Sequence, residues 1–341
     1  MYRSLLPLLL VLGCAEHGDP VEPQVTSGVV RKQIPIWANR NIDVVFVIDN
    51  SPAMAPYIEN VRANLGRFIS TLRANPSGFP GLRLGVVTTN ITDDGTLRGT
   101  SALAGTFVID VVGPDGERVR NYEGDLAAVF ERLSDVGTSG GTAAPLTAVR
   151  RVFENPSNSS FLRTNAYTGV FVISASDDRA DLVAGTEQFL KQLHGDPSKV
   201  IVGGALGDTP QLHAFVDRFP YRSTRAAIDD PDWASKVFAL IAQSFRTSLV
   251  APCIEGPLLD LEVTTPGLQS ACAVWFDFPI GGEVLRPCTG GINGRCWEII
   301  EDHRWCPTSY GSAGLFSIRQ PRVDFPEEAM LEIECLTRHE D

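Results

Sequence analysis

The sequence predicts an α/β fold, a doubly wound and mostly parallel sheet followed by a small disulfide-rich all-β module. Three observations carry that prediction: the apolar run Val44-Val45-Phe46-Val47-Ile48, the alternation of strand-like and helix-like segments from 41 to about 250, and a group of cysteines confined to residues 253–335. The run is consecutive and mostly β-branched, which suits a central parallel strand covered on both faces rather than an alternating, half-buried one. It ends abruptly on Asp49 and Ser51, so the strand delivers a carboxylate and a hydroxyl to its C-terminal tip. In open α/β sheets, ligands collect in the crevice beyond the carboxyl ends of the strands.

The elements follow in order. Tyr57, Val61, Leu65, Phe68, Ile69 and Leu72 recur at three- and four-residue steps and predict an amphipathic helix that ends near Asn75-Pro76. Leu82 to Thr89 is the next strand. Residues 91–121 are rich in Gly, Thr and Asp, with a short strand or hairpin at Thr106 to Val112. Leu126, Val129, Phe130 and Leu133 mark a second helix. The loop Gly137-Thr138-Ser139-Gly140-Gly141-Thr142 then leads into a third, from about Ala144 to Phe153. A strand at 169–174, a helix at 182–193, a strand at 199–206 and helices near 210–218 and 232–247 complete the βα series, which calls for right-handed crossovers.

Cys253, Cys272, Cys288, Cys296, Cys306 and Cys335 form an even set at the end of the chain, which predicts three disulfides in a separate module at 251–341. Their spacing leaves the pairing open and lacks the C-x₂-C signature of a zinc site. Strand-like stretches fall at Leu258 to Val263, Ala273 to Phe278, Cys296 to Ile300, Leu315 to Arg319 and Leu331 to Cys335. Trp275, Phe276, Trp297, Trp305 and Tyr310 either form a binding platform or substitute for aliphatic core in a small unit.

At the other end, Arg3 precedes the short apolar core Leu5 to Leu12, which is too short for a span needing roughly 20 residues. Val11-Leu12-Gly13-Cys14 resembles a bacterial lipobox. That resemblance implies a signal peptide at 1–13 and acyl chains on Cys14, enough for stable membrane anchoring. Ala15, in place of the Asp that retains some lipoproteins at the inner membrane, implies an outer-membrane address. Residues 14–40 contain Pro20, Pro23, Pro35, Gly18 and Gly28 without helical or alternating period, and read as a flexible tether. The domain lying between tether and cysteine-rich module is 41–250.

The formal net charge of −12 argues against a nucleic-acid partner, which needs Lys and Arg to neutralise phosphates. No G-x-x-x-x-G-K-[ST], G-x-G-x-x-G or H-E-x-x-H occurs, and Gly137-Thr138-Ser139-Gly140-Gly141, though spelled G-x-S-x-G, follows a predicted helix and not the strand that a nucleophile elbow needs, so neither a nucleotide site nor a familiar hydrolase motif is in view. The expectation is a chain that is not an enzyme. A hydrolase using Ser51 with His194 or His213 is the remote alternative, and Asp177-Asp178 is read as a solvated loop sooner than an acid and base pair.

The first loop, Asp49-Asn50-Ser51-Pro52-Ala53, resembles the Asp-x-Ser-x-Ser loop of von Willebrand factor A domains, a Rossmann-like family whose metal-ion-dependent adhesion site binds a divalent cation and a partner's carboxylate. The third position here is Ala53. The resemblance implies a second loop supplying a Thr hydroxyl, from Thr138 or Thr142, with Gly140-Gly141-Thr142 matching the commoner form. It also implies an Asp after the strand at 170–174, where this chain has Ala175 and then Ser176, so that Asp177 is the substitute. Asp49, Ser51, Thr142 and Asp177 would thus hold Mg²⁺, Mn²⁺ or Ca²⁺ in a degenerate site; the bare alternative makes Asp49 a cap and acceptor of loop N–H bonds. The whole architecture resembles lipoproteins of predatory and social soil deltaproteobacteria. It implies a lipid-anchored envelope protein that binds a protein or extracellular-matrix ligand, or else a metal-independent assembly component of the outer envelope.

Overall fold

The computed structural model describes residues 26–35, 41–75, 78–113, 116–194, 197–220, 222–239, 241, 253–261, 264, 269–278, 281–288, 295–300, 306, 312–319 and 329–338. In chain order they form β1 (Thr26–Pro35), β2 (Asn41–Ile48), α1 (Ile58–Leu65), α2 (Arg67–Arg73), β3 (Gly81–Thr88), β4 (Val108–Val112), β5 (Arg118–Arg120), α3 (Leu126–Ser134), α4 (Pro145–Glu154), β6 (Tyr167–Ser174), α5 (Leu182–Gln192), β7 (Val200–Leu206), α6 (Pro210–Val216), β8 (Ser223–Ala227), α7 (Trp233–Val237), β9 (Cys253–Glu255), β10 (Cys272–Phe278), β11 (Gly281–Pro287), β12 (Cys296–Ile300), β13 (Ser312–Arg319) and β14 (Met330–Arg338). Residues 1–13 and Cys14, expected to be a signal peptide and its lipidated cysteine, lie outside the described residues.

The first sheet has the order β5-β4-β3-β2-β6-β7-β8. Its strands β3, β2, β6, β7 and β8 pair in parallel, while β4 and β5 add an antiparallel edge. Alternate residues of β2 face opposite cores. Ile42, Val44, Phe46 and Ile48 pack with α1, α2, α3 and α7, and Val45 and Val47 pack with α4, α5 and α6. Phe46 sits with its ring centroid 4.9 Å from those of Phe68 and Phe130 and 5.3 Å from that of Phe171. Each such buried side chain contributes about 1.5–3 kcal/mol. A Cβ at Gly203 would lie 2.4 Å from the Phe171 ring, so β7 can lie against that ring only as glycine. At the opposite end of β2, Arg163 donates from Nε to the buried Asp43 Oδ1 at 2.8 Å and from Nη2 to the carbonyls of Ile42 and Gly81. It thereby closes the amino ends of β2 and β3.

The second sheet corrects the expected fold class. The structure is mixed α/β with two sheets of seven strands each, not one doubly wound sheet carrying a small C-terminal all-β module. The second sheet has the order β1-β14-β10-β11-β12-β13-β9, so its first strand comes from the N-terminal stretch. Over residues 26–35 the tether reading therefore gives way to β1, which pairs antiparallel with β14 from Thr26↔Arg338 to Pro35↔Met330. The sequence hides this strand because its inward-facing positions read Val30, Lys32 and Ile34, and the lysine breaks the apolar alternation. Lys32 Nζ reaches Glu255 Oε1 on β9 at 2.6 Å, joining the two ends of the strand order.

Phe276, Trp297 and Phe316 are buried in the second sheet's core with Ile254, Leu331 and Ile333. Phe276 and Trp297 are thus core rather than platform; Trp305 and Tyr310 lie outside the described residues. Of the strand expected at Leu258 to Val263, the described residues 258–261 hold isolated bridges at Leu258 and Asp260, residues 262 and 263 lie outside the described residues, and β9 and β11 are strands that the sequence pattern does not predict. Three disulfides join Cys253 to Cys306, Cys272 to Cys335 and Cys288 to Cys296. Such bonds belong to an oxidising, extracellular or envelope setting. Among the described residues no helix is long and apolar enough to cross a membrane.

Candidate functional site

Asp49 follows β2 directly and is completely buried. Its Oδ1 accepts from the Ser51 N–H at 2.8 Å and from Thr89 Oγ1 at 3.3 Å; its Oδ2 accepts from the Ser176 N–H at 3.1 Å and lies 3.0 Å from Ser174 Oγ, whose one proton it shares with the Ser176 carbonyl at 2.7 Å. These donors come from the loops after β2, β3 and β6, side by side in the sheet. Ser51 Oγ also hydrogen-bonds Ser176 Oγ at 3.1 Å. The loop at 137–144 joins the same rim. Gly140 N–H donates to the Asn50 carbonyl at 2.7 Å, Ala144 N–H to the Thr89 carbonyl at 2.8 Å, and Ile91 N–H to the Thr142 carbonyl at 3.4 Å.

The loops predicted to converge on Asp49 thus do converge, but not every predicted ligand turns inward. Asp177 accepts from the N–H groups of Gln211 and Leu212 at 3.0 and 3.1 Å, at the start of α6. Asp178 does the same for Leu146 and Thr147 at the start of α4. Both carboxylates therefore satisfy helix N–H groups that have no partner within the helix. The side chain of Thr142 is exposed and that of Thr138 half-buried.

A divalent cation at this donor set would have to displace protein donors from Asp49. An ionised carboxylate offers about four lone-pair sites, and at least three of those of Asp49 are taken by the Ser51 N–H, the Thr89 hydroxyl and the Ser176 N–H. Ala53 and Ala175 contribute no oxygen ligand from their side chains, and Asp177 points to α6. Among the described residues no group of three or more His, Cys, Asp or Glu side chains is arranged to hold a metal.

Thr89, Ser174 and Ser176 are the functional positions that the sequence reading missed as partners of Asp49. Their one signal was their place just past apolar strands, where small hydroxyl residues face the crevice. Ser51 and His194 do not meet: His194 Nε2 lies 2.7 Å from Thr168 Oγ1, near the beginning of β6, and so at the opposite end of the sheet from Ser51.

Above the buried layer the rim is exposed. Pro52, Ala53, Ala55 and Pro56 line the first loop, Ile91 the second at 57 % exposure, and Gly141 and Thr142 the third. Beneath them Asn50 is 8 % exposed, and its Oδ1 has no hydrogen-bond partner.

No protein-family model and no curated protein matches this sequence. Among solved structures, the chain is similar to proximal thread matrix protein 1 from the mussel byssus, in its second crystal form, at 11 % sequence identity and a TM-score of 0.37. The similarity covers 63 % of this chain and 48 % of that one, so the chain spans about half the length of the matrix protein it matches.

Proposed function

We propose that this chain is an extracellular or envelope protein that binds a protein or matrix partner through the loop rim above Asp49, without a resident cation. The observation that carries the reading is the bonding of Asp49 to donors from three separate loops, at Ser51, Thr89 and Ser176. That bonding makes a rigid base on which Pro52, Ala53, Ile91 and Thr142 stand exposed, and binding residues held on a pre-organised scaffold lose little entropy on association. The likeness of Asp49-x-Ser51 to the first loop of adhesion sites supports adhesion as the class of function. Lipid attachment at Cys14 and an outer-membrane address belong to the same reading and rest on the lipobox-like N-terminus.

The test uses the immobilised full chain against an envelope or matrix extract. A component retained by the wild type, lost by Ile91→Asp and indifferent to a chelator is the expected result; equal retention by the variant removes the rim from consideration. Thermal unfolding with Mg²⁺, Mn²⁺ or Ca²⁺ checks the cation, since a ligand that binds the folded state raises Tm by mass action. A chelator-reversible rise would restore the metal-dependent reading. Mass spectrometry of the mature protein decides whether Cys14 is acylated.

A second reading, an assembly component, is favoured by Val284, which is 78 % exposed on β11. Among the described residues Gly281–Leu285 pair with β10 alone, because β12 meets β11 only at Arg286 and Pro287. Light scattering of wild type and Val284→Lys separates the two: a wild-type oligomer that the variant dissolves supports assembly.

A further inference from the structure

We propose that a cleft at the β4–β5 edge of the first sheet binds a small organic monocarboxylate, with Arg120 and Arg73 holding its carboxylate and Phe79 supporting its apolar body. The cleft encloses about 350 Å³ between the end of α2, the approach to β3, the β4–β5 pair and the start of α3. That volume lies within the range of small-molecule sites, roughly 300–1,000 Å³. It is far from the loop rim in the sheet: Asp110 on β4 pairs with Leu82 at the beginning of β3, whereas the rim follows Thr88 at its end. The inference does not depend on the rim's function.

The charges in the cleft are unequally committed. Arg118 has four of its five N–H groups engaged, donating from Nε to Asp110 Oδ1 at 2.6 Å and from its Nη atoms to the carbonyls of Phe79, Pro80 and Asp110 at 3.2, 2.8 and 2.9 Å. Its guanidinium lies 4.9 Å from the centroid of the Phe79 ring. Tyr122 donates its hydroxyl to Asp110 Oδ2, and burial together with that carboxylate pushes the phenol up to about 12, so it is neutral throughout the physiological range. Arg120 is different. Among the described residues its one charged partner is Asp110 Oδ2, at 3.4 Å from Nε, and its side chain is 54 % exposed. Arg73 gives Nη2 to Asp125 Oδ1 at 2.8 Å, which leaves its Nε and Nη1 for another acceptor.

Three guanidinium groups therefore face two carboxylates in a chain whose overall charge is −12. One unit of positive charge is left over, and a monoanion balances it. The planar fork of arginine matches a carboxylate with two parallel N–H bonds, which selects carboxylate over a point anion such as chloride. The exposed edge of the cleft admits the ligand, and Phe79 with its stacked Arg118 gives a flat surface for an aromatic or short aliphatic body.

Isothermal titration of the purified chain with benzoate, hexanoate, benzamide and inorganic phosphate tests the assignment. Saturable binding of a carboxylate at one site is expected, with benzamide weaker by roughly tenfold or more because it lacks the charge. Arg120→Gln is expected to weaken benzoate binding by a similar factor, and Arg73→Gln to do so independently, while the near-ultraviolet circular dichroism of Arg120→Gln stays that of the wild type. No saturable binding of either carboxylate to the folded chain overturns the proposal. So does benzamide binding as well as benzoate, phosphate binding more tightly than both carboxylates, or a folded Arg120→Gln that binds benzoate unchanged.

Discussion

The backbone N–H of Ser176 donates to Asp49 Oδ2 at 3.1 Å, across 127 residues of chain. Ser176 follows β6 and Asp49 follows β2, neighbouring parallel strands whose registers bring Ile48 opposite Ile173. Two loops that are remote in sequence are thus fastened at one buried carboxylate. The same carboxylate reaches the loop after β3 through Thr89. That carboxylate is the tie between the three loops.

Replacing Asp49 by Ala should therefore cost stability rather than only a ligand contact. The N–H groups of Ser51 and Ser176 would lose a carboxylate acceptor that is completely buried. Hydrogen bonds to charged groups contribute about 1.5–3 kcal/mol each, and orphaned buried donors add to the loss. We expect urea unfolding to show a decrease of about 3 kcal/mol or more. A loss under about 1 kcal/mol, the scale of a surface substitution, would mean that the tie is not structural.

Gly140 provides a steric test of the same layer. A Cβ at that position would sit 2.3 Å from Asn50 Oδ1 and 2.4 Å from its Cγ, too close for any real contact. Gly140→Ala should therefore displace Asn50 and destabilise the chain by about 1–3 kcal/mol. Asn50→Ala removes a buried oxygen that has no partner, so its own cost should be small, and it should make room for the new methyl. The double variant should then be more stable than Gly140→Ala alone. Additive losses in the cycle would show that the clash is relieved elsewhere.

The apolar run of β2, the helix periodicities and the even set of cysteines were legible in the sequence because each follows from a local pattern. The rim was legible too, since Asp49, the 137–142 loop and the 174–178 loop all follow strands or precede helices in a parallel order. What escaped is non-local. Lys32 on an inward position of β1 is explained only by Glu255 on β9, more than two hundred residues away. The direction of Asp177 is likewise set by α6, whose start lies 33 residues beyond it. An aspartate that caps a helix and one that binds a cation look alike until the donors around it are placed.

His194 should make stability pH-dependent in a defined window. Burial, aided by the nearby Lys199 charge, lowers its pKa from 6.5 to about 4. Above the ordinary value the ring is neutral in both folded and unfolded chains and contributes no slope. Between about 6.5 and 4 the unfolded chain takes up the proton and the folded chain resists it, so stability falls as pH falls; below about 4 the loss levels off. The total is about 2–3 kcal/mol, allowing for partial solvent access to the ring. His194→Gln, which keeps a polar partner for Thr168, should flatten that part of the unfolding free-energy profile. An unaltered slope between pH 6.5 and 4 would assign the dependence to other groups.

The disulfides should rank by the chain they enclose. Cys272 and Cys335 are opposite one another on β10 and β14 and close a separation of 63 residues, whereas Cys288 and Cys296 close only 8. In the chain-entropy account the first restricts the unfolded chain by about 4 kcal/mol and the second by about 2.5 kcal/mol. Cys335 is also completely buried among Ile333 and Leu331, so replacing the first pair by alanine adds a loss of packing that falls on the same side of the comparison. The paired variant Cys272→Ala/Cys335→Ala should therefore unfold at a clearly lower urea midpoint than Cys288→Ala/Cys296→Ala, with both measured under oxidising conditions. If the order is reversed, the short Cys288–Cys296 bridge does more than restrict the unfolded chain. It would then be holding β11 and β12 together where, among the described residues, they pair at Arg286↔Cys296 and Pro287↔Trp297.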